Sequence, residues 1–450
     1  FGIQYFIKEY LIKAFNEKFF SKDKAQILEE YSRHIKADYK HIGDLHDLGY
    51  LPIEIKALEE GMLCPIGVPM LTIKNTHPDF FWLTNYLETL MSAMLWKPVS
   101  SATMAYEYKK LLSKYAVETT GTTDFVQWQG HDFSMRGMSS VECAILSGMG
   151  HLTSFTGTDT IPAIYALEKS YSANGLIGAS VPATEHSVMC MGTKEDEIGT
   201  FRNLLNLYPE GILSVVSDTW DLWKVCTEYL PALKEEILAR NGKLVIRPDS
   251  GDPVDIICGK YIQHEDLSQH YNYKDSPINH PEFFEDSLLD EVQESTSHGE
   301  HGPEEYDSIY KINGTYYKAT IHNISWNRYD KQYYYIDMWE DAKITVEEYP
   351  VNHEHKGVIE LLWDVFGGTV NDQGYKVLDP HIGAIYGDSI TLERAEQICE
   401  RLKAKGFAST NVVLGIGSYT YQYNTRDTFG FAVKATYGEV TLPEETIAAN

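Results

Sequence analysis

Residues 246–253, with the sequence IRPDSGDP, carry the most informative set of reactive side chains in the chain. The planar guanidinium of Arg247 can bind a carbonyl or a phosphate. Asp249 can accept hydrogen bonds from sugar hydroxyls, or hold Mg²⁺ through water. Ser250 and Gly251 open the backbone, so that amide groups can face an anion. A salt-bridged turn is the alternative interpretation of this motif taken alone.

Two apolar runs end in glycine. In NVVLGIGSYT (411–420), Gly415 and Gly417 allow backbone N–H groups to come close to a phosphate. A single G-x-G is weak support, because turns need glycine anyway. It gains weight from Gly387 and Asp388, which end the preceding run in the same way. Two adjacent strand ends with glycine are an arrangement that α/β barrels use to bind phosphate.

A histidine with nearby carboxylates occurs in SVPATEHS (180–187), which contains Glu185 and His186. Asp218 ends the next apolar run, so its carboxylate could orient the imidazole. An oriented, partly exposed histidine can act as base, cation or phosphoryl acceptor. No pair of histidines has metal-ligand spacing, so zinc is not expected.

The segment HDFSMRG (131–137) combines an aromatic ring with an arginine. Phe133 could stack on a flat heterocycle, and Arg136 could reach a diphosphate. On its own the segment is a weak signal, since a phenylalanine more often belongs to the core.

These residues occupy the same position in the predicted elements. Each comes directly after a short apolar run, which predicts a strand, and before a stretch with a helical pattern. Six strand-then-helix units predict a parallel sheet, and they favour a closed α/β barrel over an open sheet. Their strands are predicted within residues 152–160, 177–187, 211–221, 243–253, 382–390 and 411–420. The side chains would meet at the carboxyl ends of the strands, where barrels build active sites. A helix N-cap is the alternative role for any one aspartate. The residues in this position are Asp159, His186, Asp218, Arg247, Asp249, Asp388 and Gly417.

Composition narrows the class of protein. The 450 residues include 38 basic and 65 acidic side chains, a net charge of −27, which argues against nucleic acid or an anionic membrane as the main partner. Six scattered cysteines without a C-x-x-C pair indicate a reducing compartment, and we expect a cytoplasmic protein. No apolar run is long enough to span a membrane, and no signal peptide is apparent. Because the chain opens at Phe1 within a helical pattern, we expect further residues at both ends.

The chain divides into regions of different texture. Residues 1–129 predict an α+β domain, completed by 421–450, with strands at 51–58 and 69–76 and helices at 80–96 and 101–118. Residues 130–420 predict the α/β domain. Within it, residues 258–355 predict an insertion that begins with an acidic loop, with thirteen acidic residues and one lysine between His264 and Ser308. A tyrosine-rich part with an Asn313-Gly314 hairpin turn follows. A small core of its own is favoured over an interaction surface.

The motifs together resemble a known family. LPIEIKA, WLTNYLET, HDFSMRG, GTDT, SVPATEHS, VVSD, IRPDSGDP, GDSI and TRD occur in this order, and the chain resembles the nicotinamide phosphoribosyltransferases of the type II phosphoribosyltransferase family. The resemblance implies an irregular (β/α) barrel with an additional α+β domain and a surface insertion. It also implies that nicotinamide and phosphoribosyl pyrophosphate give nicotinamide mononucleotide and pyrophosphate, in NAD salvage.

The same resemblance assigns the base-binding residues. Phe133 would stack on the pyridine ring, and Asp159 would accept a hydrogen bond from the carboxamide NH2. Arg247 would hold the amide from the other side. A carboxylate at Asp159 would repel nicotinate, because a buried like-charge contact costs several kcal/mol.

The remaining roles implied by the resemblance concern the phosphoribosyl group and catalysis. Ribose and Mg²⁺ would lie near Asp249, Gly387 and Asp388, with Asp249 holding the metal through water. The 5′-phosphate would bind at Gly417 and Ser418, and the pyrophosphate at Arg136 and His186. ATP would phosphorylate His186, flanked by Glu185 and Asp218. Arg426 and Lys434 would come from the second subunit of a homodimer with shared active sites.

Three alternatives remain open. A nicotinate phosphoribosyltransferase would run the same reaction on the acid, although Asp159 argues against it. A non-catalytic ligand-binding homologue is a second possibility, against which the intact Arg247, Asp249 and Asp388 argue. An unrelated magnesium-dependent barrel hydrolase would need only clustered carboxylates.

Overall fold

The computed structural model describes residues 1–295, 305–327, 329, 332–335, 343–387 and 389–440. Asp388, predicted at the ribose site, therefore lies outside the described residues. The chain forms two compact units. One comprises Phe1–Pro253 with the residues from Leu362 onward, and the other is Val254–Leu361.

The secondary structure is mixed α/β. The strands are β1 Ile53–Ala57, β2 Leu71–Asn75, β3 Gly130–Asp132, β4 Gly157–Thr158, β5 Glu210–Val216, β6 Asn241–Arg247, β7 Glu265–Asp266, β8 Tyr306–Ile312, β9 Thr315–Ile321, β10 Ile324–Asn327, β11 Gln332–Tyr335, β12 Ile344–Glu348, β13 Gly368–Val370, β14 Lys376–Leu378, β15 Ile382–Tyr386 and β16 Val412–Ile416. The α-helices are α1 Ile3–Phe6, α2 Lys24–His34, α3 Lys40–Leu48, α4 Leu83–Thr120, α5 Val126–Gln129, α6 Val141–His151, α7 Ile161–Tyr171, α8 His186–Met191, α9 Glu197–Leu207, α10 Leu222–Lys224, α11 Leu230–Leu238, α12 Pro253–Cys258, α13 Glu285–Ser295, α14 His353–Phe366, α15 Leu392–Ala404 and α16 Ser418–Gln422.

Shorter helical turns complete the list. Ile7–Ala14, Asn16–Phe20 and Val225–Tyr229 are wound as π-helix, and Pro78–Phe80, Met135–Gly137, Pro277–Asn279, Pro281–Phe284 and Ser409–Asn411 as 3₁₀-helix. None of the helices in the described part of the chain is long and apolar enough to cross a membrane.

A six-stranded parallel sheet forms the centre of the first unit, in the order β4-β3-β16-β15-β6-β5. Its strands are apolar because helices cover them, and Leu244, Ile246 and Leu414 are fully buried. Helices alternate with the strands along the chain, which confirms the predicted strand-then-helix pattern. The carboxyl ends of all six strands therefore lie at one edge of the sheet.

An extended segment pairs with both outer strands of this sheet. Ala179 forms an isolated parallel bridge with Gly157 next to β4, and Ala183 forms one with Ser214 of β5. The Thr158 N–H donates to the Ala179 carbonyl at 3.0 Å, and the Ser214 N–H donates to the Pro182 carbonyl at 2.9 Å. The sheet thus curls until a single segment reaches both of its edges.

Two strand predictions differ from the structure. Residues 177–187 were expected to contain a full strand, yet they make only isolated bridges, because Pro182 interrupts the N–H series that a ladder needs. The three-residue strand β3 was not expected, because its His131 and Asp132 are polar and lack the apolar run of the others. The predicted strands at 51–58 and 69–76 are confirmed as β1 and β2, an antiparallel pair.

The predicted helices 80–96 and 101–118 are wrong as separate elements, since α4 runs through both and contains Pro98. A proline inside a helix removes one hydrogen bond and usually breaks it. Here the buried face continues on both sides of the proline, through Leu87, Met91 and Leu95 and then Ala105 and Leu112. Tertiary packing of that face outweighs the local cost.

The second unit has a core of its own. Its sheet has the order β12-β9-β8-β7, and the two-residue loop Asn313-Gly314 has positive φ at both positions, 51° and 90°, as a type I′ turn requires. The acidic stretch was expected to be a loop, but Glu285–Ser295 is a helix. Leu288 and Val292, four residues apart, are buried in the core, which is the helical signal that the surrounding charges concealed.

Candidate active site

A cavity of about 250 Å³ lies at the carboxyl ends of the parallel strands. Seven of the predicted site residues line it, namely Phe133, Arg136, Asp159, Glu185, Arg247, Asp249 and Gly387. The other lining residues are Ser180, Val181, Ala183 and Thr184, from the extended segment that pairs with both sheet edges. The structure therefore gathers at one site residues that are up to 254 positions apart in the sequence.

Asp159 is an acceptor that two side chains hold in place. The Nε2 of His131 is 2.8 Å from its Oδ1, and the Ser180 hydroxyl donates to the same oxygen at 2.5 Å. Burial alone would raise the pKa of Asp159, but the hydrogen bonds from His131 and Ser180 and the positive charge of Arg247 outweigh burial and lower it. Asp159 is therefore an anion at neutral pH.

Arg247 is a buried cation with an unused donor. Its side chain is at the end of β6 and the residue is 7% exposed. Its Nη2 donates to the Thr184 carbonyl at 2.9 Å, whereas its Nε is buried and has no partner among the described residues. Burial lowers the pKa of Arg247, and the charges of Asp249 and Asp159 oppose this shift. An unpaired buried donor costs about 1–3 kcal/mol, so a ligand acceptor at this point would be favourable.

Phe133 provides an aromatic surface in the same cavity. The guanidinium carbon of Arg247 is 5.8 Å from the centre of its ring, and the centre of the His131 ring is 4.7 Å from it. A Cβ on Gly415 would be 2.5 Å from Phe133 Cδ2. Glycine on β16 thus makes the space in which the phenylalanine ring lies.

A second group of carboxylates surrounds His186. Asp218 Oδ2 accepts from the Asp249 N–H at 2.8 Å and from the Ser250 hydroxyl at 2.6 Å. The Nε2 of His186 is 3.9 Å from Asp218 Oδ1 and 3.7 Å from Asp249 Oδ2. Its Nδ1 is 3.1 Å from the Thr219 hydroxyl. The histidine therefore faces Asp218 and Asp249, whereas Glu185 and Asp218 were the expected neighbours, and its short contact is with Thr219.

Asp218 Oδ1 is buried and has no hydrogen-bond partner within the described residues. A buried carboxylate oxygen without a donor indicates a place for a water, a cation or a ligand hydroxyl. The described part of the chain contains no group of three or more histidines, cysteines or acids that could hold a metal ion. Any cation here would thus take few protein ligands directly.

Six described residues of the predicted site do not line the cavity, and His186 and Asp218, described above, are two of them. Gly417 and Ser418 follow β16 beside β3, and a Cβ on Gly137 would be 2.1 Å from Ser418 Oγ, so the glycine turn packs on the loop that carries Arg136. Arg426 lines a separate cavity of about 240 Å³. Lys434 is exposed in the irregular segment that follows.

The sequence reasoning assigned no role to His131, Ser180, Thr184 and Thr219. A signal existed for the first two. His131 lies two residues before Phe133, so an extended backbone directs both side chains to one face. Ser180 opens the same motif as His186, within a segment that had been expected to end near the site.

Comparisons with known proteins agree with this geometry. Residues 128–278 and 342–448 match the sequence model of the family described as "Nicotinate phosphoribosyltransferase (NAPRTase) family". A protein of Acinetobacter baylyi named nicotinamide phosphoribosyltransferase is 46% identical over 98% of this chain and 73% of its own length. Proteins of the same name from Mycoplasma pneumoniae and Mycoplasma genitalium are 34% identical over 90% of this chain and 69% of their own, and 31% over 95% and 72%, respectively. Such identity along most of both chains, with the motif residues gathered at one cavity, means that the chain belongs to the nicotinate phosphoribosyltransferase family.

Proposed function

We propose that this protein is a nicotinamide phosphoribosyltransferase. It transfers the 5-phosphoribosyl group of phosphoribosyl pyrophosphate to nicotinamide, giving nicotinamide mononucleotide and pyrophosphate for NAD synthesis. The names of the relatives support this reaction. The observation that carries it is a fixed carboxylate and a buried guanidinium with an unused donor, which line one cavity together with an aromatic ring.

The amide of nicotinamide matches this pair of charges. Its NH2 group donates to Asp159, and its carbonyl accepts from the Nε of Arg247. Nicotinate would bring a second carboxylate to Asp159, and two like charges placed against each other at a binding site repel by several kcal/mol. Because the pKa of Asp159 is lowered, protonation does not relieve this repulsion near neutral pH.

Phe133 orients the base for reaction. Stacking of the pyridine on its ring, beside Arg247, limits the base to one plane. When the ring nitrogen is held near the anomeric carbon, the entropic part of the activation barrier for phosphoribosyl transfer is lower. The new bond forms between that nitrogen and the anomeric carbon, while the bond to the pyrophosphate oxygen breaks.

The residues around Asp249 suit the ribose and a hydrated Mg²⁺. Asp249 and Gly387 line the cavity. The Asp249 N–H donates to the carboxylate of Asp218, which fixes the backbone at this point. We assign Asp388 to the same ribose site by resemblance. Because magnesium prefers one or two carboxylates, water and substrate phosphates, Asp249 would hold it through water, next to the unsatisfied oxygen of Asp218. When bound, the ion neutralises charge on the pyrophosphate.

The leaving pyrophosphate gains negative charge as the anomeric carbon acquires oxocarbenium character. Arg136, which lines the cavity, donates to this charge and is held by the turn Met135–Gly137. The side chain of His186 is 48% exposed and lies 3.7 Å from Asp249, which lines the same cavity. Donors fixed in advance lower the barrier, because they do not have to reorient during the reaction.

The 5′-phosphate is assigned to the backbone amides of Gly417 and Ser418. Arg426 and Lys434 are assigned to the active site of the other subunit of a homodimer. Neither residue lines the cavity of its own chain, and Arg426 lines a different cavity, which supports this assignment.

ATP is assigned as a stimulating cofactor that phosphorylates His186. The exposure of this imidazole and the neighbouring acids Glu185, Asp218 and Asp249 support this role, because carboxylates can orient the ring for attack on a phosphoryl group. The resulting phosphohistidine would couple ATP hydrolysis to synthesis.

The finer architecture is also a proposal. We assign residues 130–420 to an irregular (β/α) barrel, residues 1–129 with 421–450 to an additional α+β domain, and residues 258–355 to an insertion in the barrel domain. The extended segment that reaches both edges of the parallel sheet supports a closed barrel. No disulfide joins any of the six cysteines, all of which are described, which supports a cytoplasmic location.

Product formation tests the function. The purified chain with Mg²⁺ and phosphoribosyl pyrophosphate should convert nicotinamide with a kcat/KM about 100-fold or more above that for nicotinate. Chromatography of the mononucleotide products measures both rates. A preference for nicotinate would reverse the proposed specificity, and binding without turnover would indicate a non-catalytic homologue. Product formation without phosphoribosyl pyrophosphate would indicate a different reaction.

A further inference from the structure

We propose that His131 is a positioning residue for base recognition, which holds Asp159 so that one carboxylate oxygen is reserved for the substrate amide. This inference rests on the proposed function. His131 makes no bond to the reacting atoms, and its sequence motif gave it no role. We assign it a role in the choice of substrate.

The sheet places His131 and Asp159 on one face. In the parallel pair β3–β4, His131 is the register partner of Gly157 and Asp132 that of Thr158. The ladder continues beyond β4, because the Asp159 N–H donates to the Asp132 carbonyl at 2.9 Å. Side chains two residues apart on a strand share a face, so His131, Phe133 and Asp159 lie on one face of the sheet, where Phe133 and Asp159 line the cavity.

Gly157 makes the contact geometrically possible. A Cβ at this position would be 2.7 Å from His131 Nδ1. The missing side chain leaves room for the imidazole to lie along β4 and reach the residue two positions further on. The ring is only 11% exposed, so its neighbours fix its orientation.

The hydrogen-bond pattern defines which carboxylate oxygen is used. A carboxylate oxygen only accepts, so the Nε2 of His131, 2.8 Å from Asp159 Oδ1, must carry the proton. The Ser180 hydroxyl donates to the same oxygen. No residue of the described chain donates to Oδ2, while Asp159 lines the cavity. Oδ2 is therefore the acceptor left for the carboxamide NH2.

The proposal predicts a separation between binding and chemistry. His131→Phe keeps an aromatic ring but removes the donor, so Asp159 loses a hydrogen bond to a charged acceptor. We expect the KM for nicotinamide to rise about tenfold, with a much smaller change in kcat. Discrimination against nicotinate should fall by a similar factor. His131→Gln, whose amide nitrogen can reach the position of Nε2, should restore most of the wild-type KM.

His381 offers a matched control. Its Nδ1 is 2.7 Å from Asp379 Oδ1, in a second histidine–aspartate pair just before β15, at the opposite ends of the parallel strands. His381→Phe removes a similar hydrogen bond away from the cavity and should keep the wild-type KM for nicotinamide. Thermal unfolding of each variant reports on folding.

Steady-state kinetics with nicotinamide and with nicotinate test the proposed role of His131. A wild-type KM and selectivity in His131→Phe, an equal defect in His131→Gln, or the same defect in His381→Phe would each overturn the proposal. If His131→Phe does not fold, Gly157→Ala replaces it, since the added methyl displaces the imidazole; a wild-type KM in that variant would also overturn the proposal. Absence of mononucleotide synthesis by the wild-type enzyme is a separate result, which refutes the proposed function and this inference with it.

Discussion

Opposite charges that line one cavity together with an aromatic ring define the candidate site at the scale of single residues. Asp159 remains ionised because donors surround it, and Arg247 remains unsatisfied at Nε because no described group accepts from it. An amide offers one donor and one acceptor, and thus complements both. The residue types were readable from the sequence, but the hydrogen bonds from His131 and Ser180 to Asp159 were not, because they depend on how β3 and the segment around Ala179 pair with β4.

The first prediction concerns Asp159. Asp159→Ser removes the acceptor and the negative charge, so the kcat/KM for nicotinamide should fall about 10- to 100-fold, while that for nicotinate falls less or rises. Competition between the two bases in one reaction mixture measures the ratio. Asp372→Ser, at an exposed turn, serves as the control. Unchanged selectivity in Asp159→Ser would contradict the assigned role.

The second prediction concerns a buried acid outside the cavity. Glu197 is 1% exposed, and burial together with the charge of Asp221 raises its pKa from the ordinary 4.5 to about 7. The folded protein therefore binds an extra proton between these pH values, and stability falls as the pH rises from about 4.5 through 7. Glu197→Gln should accordingly stabilise the protein by roughly 2–3 kcal/mol at pH 8 and have little effect at pH 4.5.

Chemical unfolding at the two pH values measures this difference. Glu195→Gln, on the same stretch but exposed, should show no such pH-dependent gain. An equal effect of Glu197→Gln at both pH values would show that the buried charge is not the cause.

Strands that end at a common edge account for the site at the scale of elements. The alternation of apolar runs and helices predicted this edge, because only residues just after a strand can reach it. The sequence could not predict β3, whose polar residues hide a strand, or the continuity of α4 through Pro98. Both depend on packing against neighbours that are distant in the sequence.

Gly415 in β16 and Gly417, which directly follows this strand, give a prediction at the scale of elements. A Cβ on Gly415 would lie 2.5 Å from Phe133 Cδ2 and 2.8 Å from the Tyr386 carbonyl, whereas one on Gly417 meets no described atom within 4 Å. Gly415→Ala should displace the stacking ring and raise the KM for nicotinamide about tenfold. Gly417→Ala should act on the KM for phosphoribosyl pyrophosphate instead. Equal nicotinamide KM values in both variants would contradict this division.

The assembly of active sites is a question for the whole molecule. The sequence motifs reached nearly all of the cavity residues, yet Arg426 and Lys434 have no part in the cavity of their own chain. A single chain cannot reveal which side chains a second copy contributes, because the register between subunits is not encoded in one chain's local pattern. Their assignment to a partner therefore needs a direct test.

Complementation provides that test. Asp249→Ala and Arg426→Ala should each abolish most activity alone. A co-expressed mixture should recover about one quarter of the wild-type activity, because each mixed dimer has one site with both defects and one with neither. Activity of the mixture no higher than that of the single variants would mean that Arg426 acts within its own chain or outside the site.

The most direct measurement is a crystal structure of the protein with nicotinamide mononucleotide. The pyridine should stack on Phe133, with the carboxamide nitrogen within hydrogen-bond distance of Asp159 Oδ2 and the carboxamide oxygen at Arg247. The phosphate should contact the amides of Gly417 and Ser418. A nucleotide bound elsewhere, or with its carboxamide turned away from Asp159 and Arg247, would contradict the proposed site.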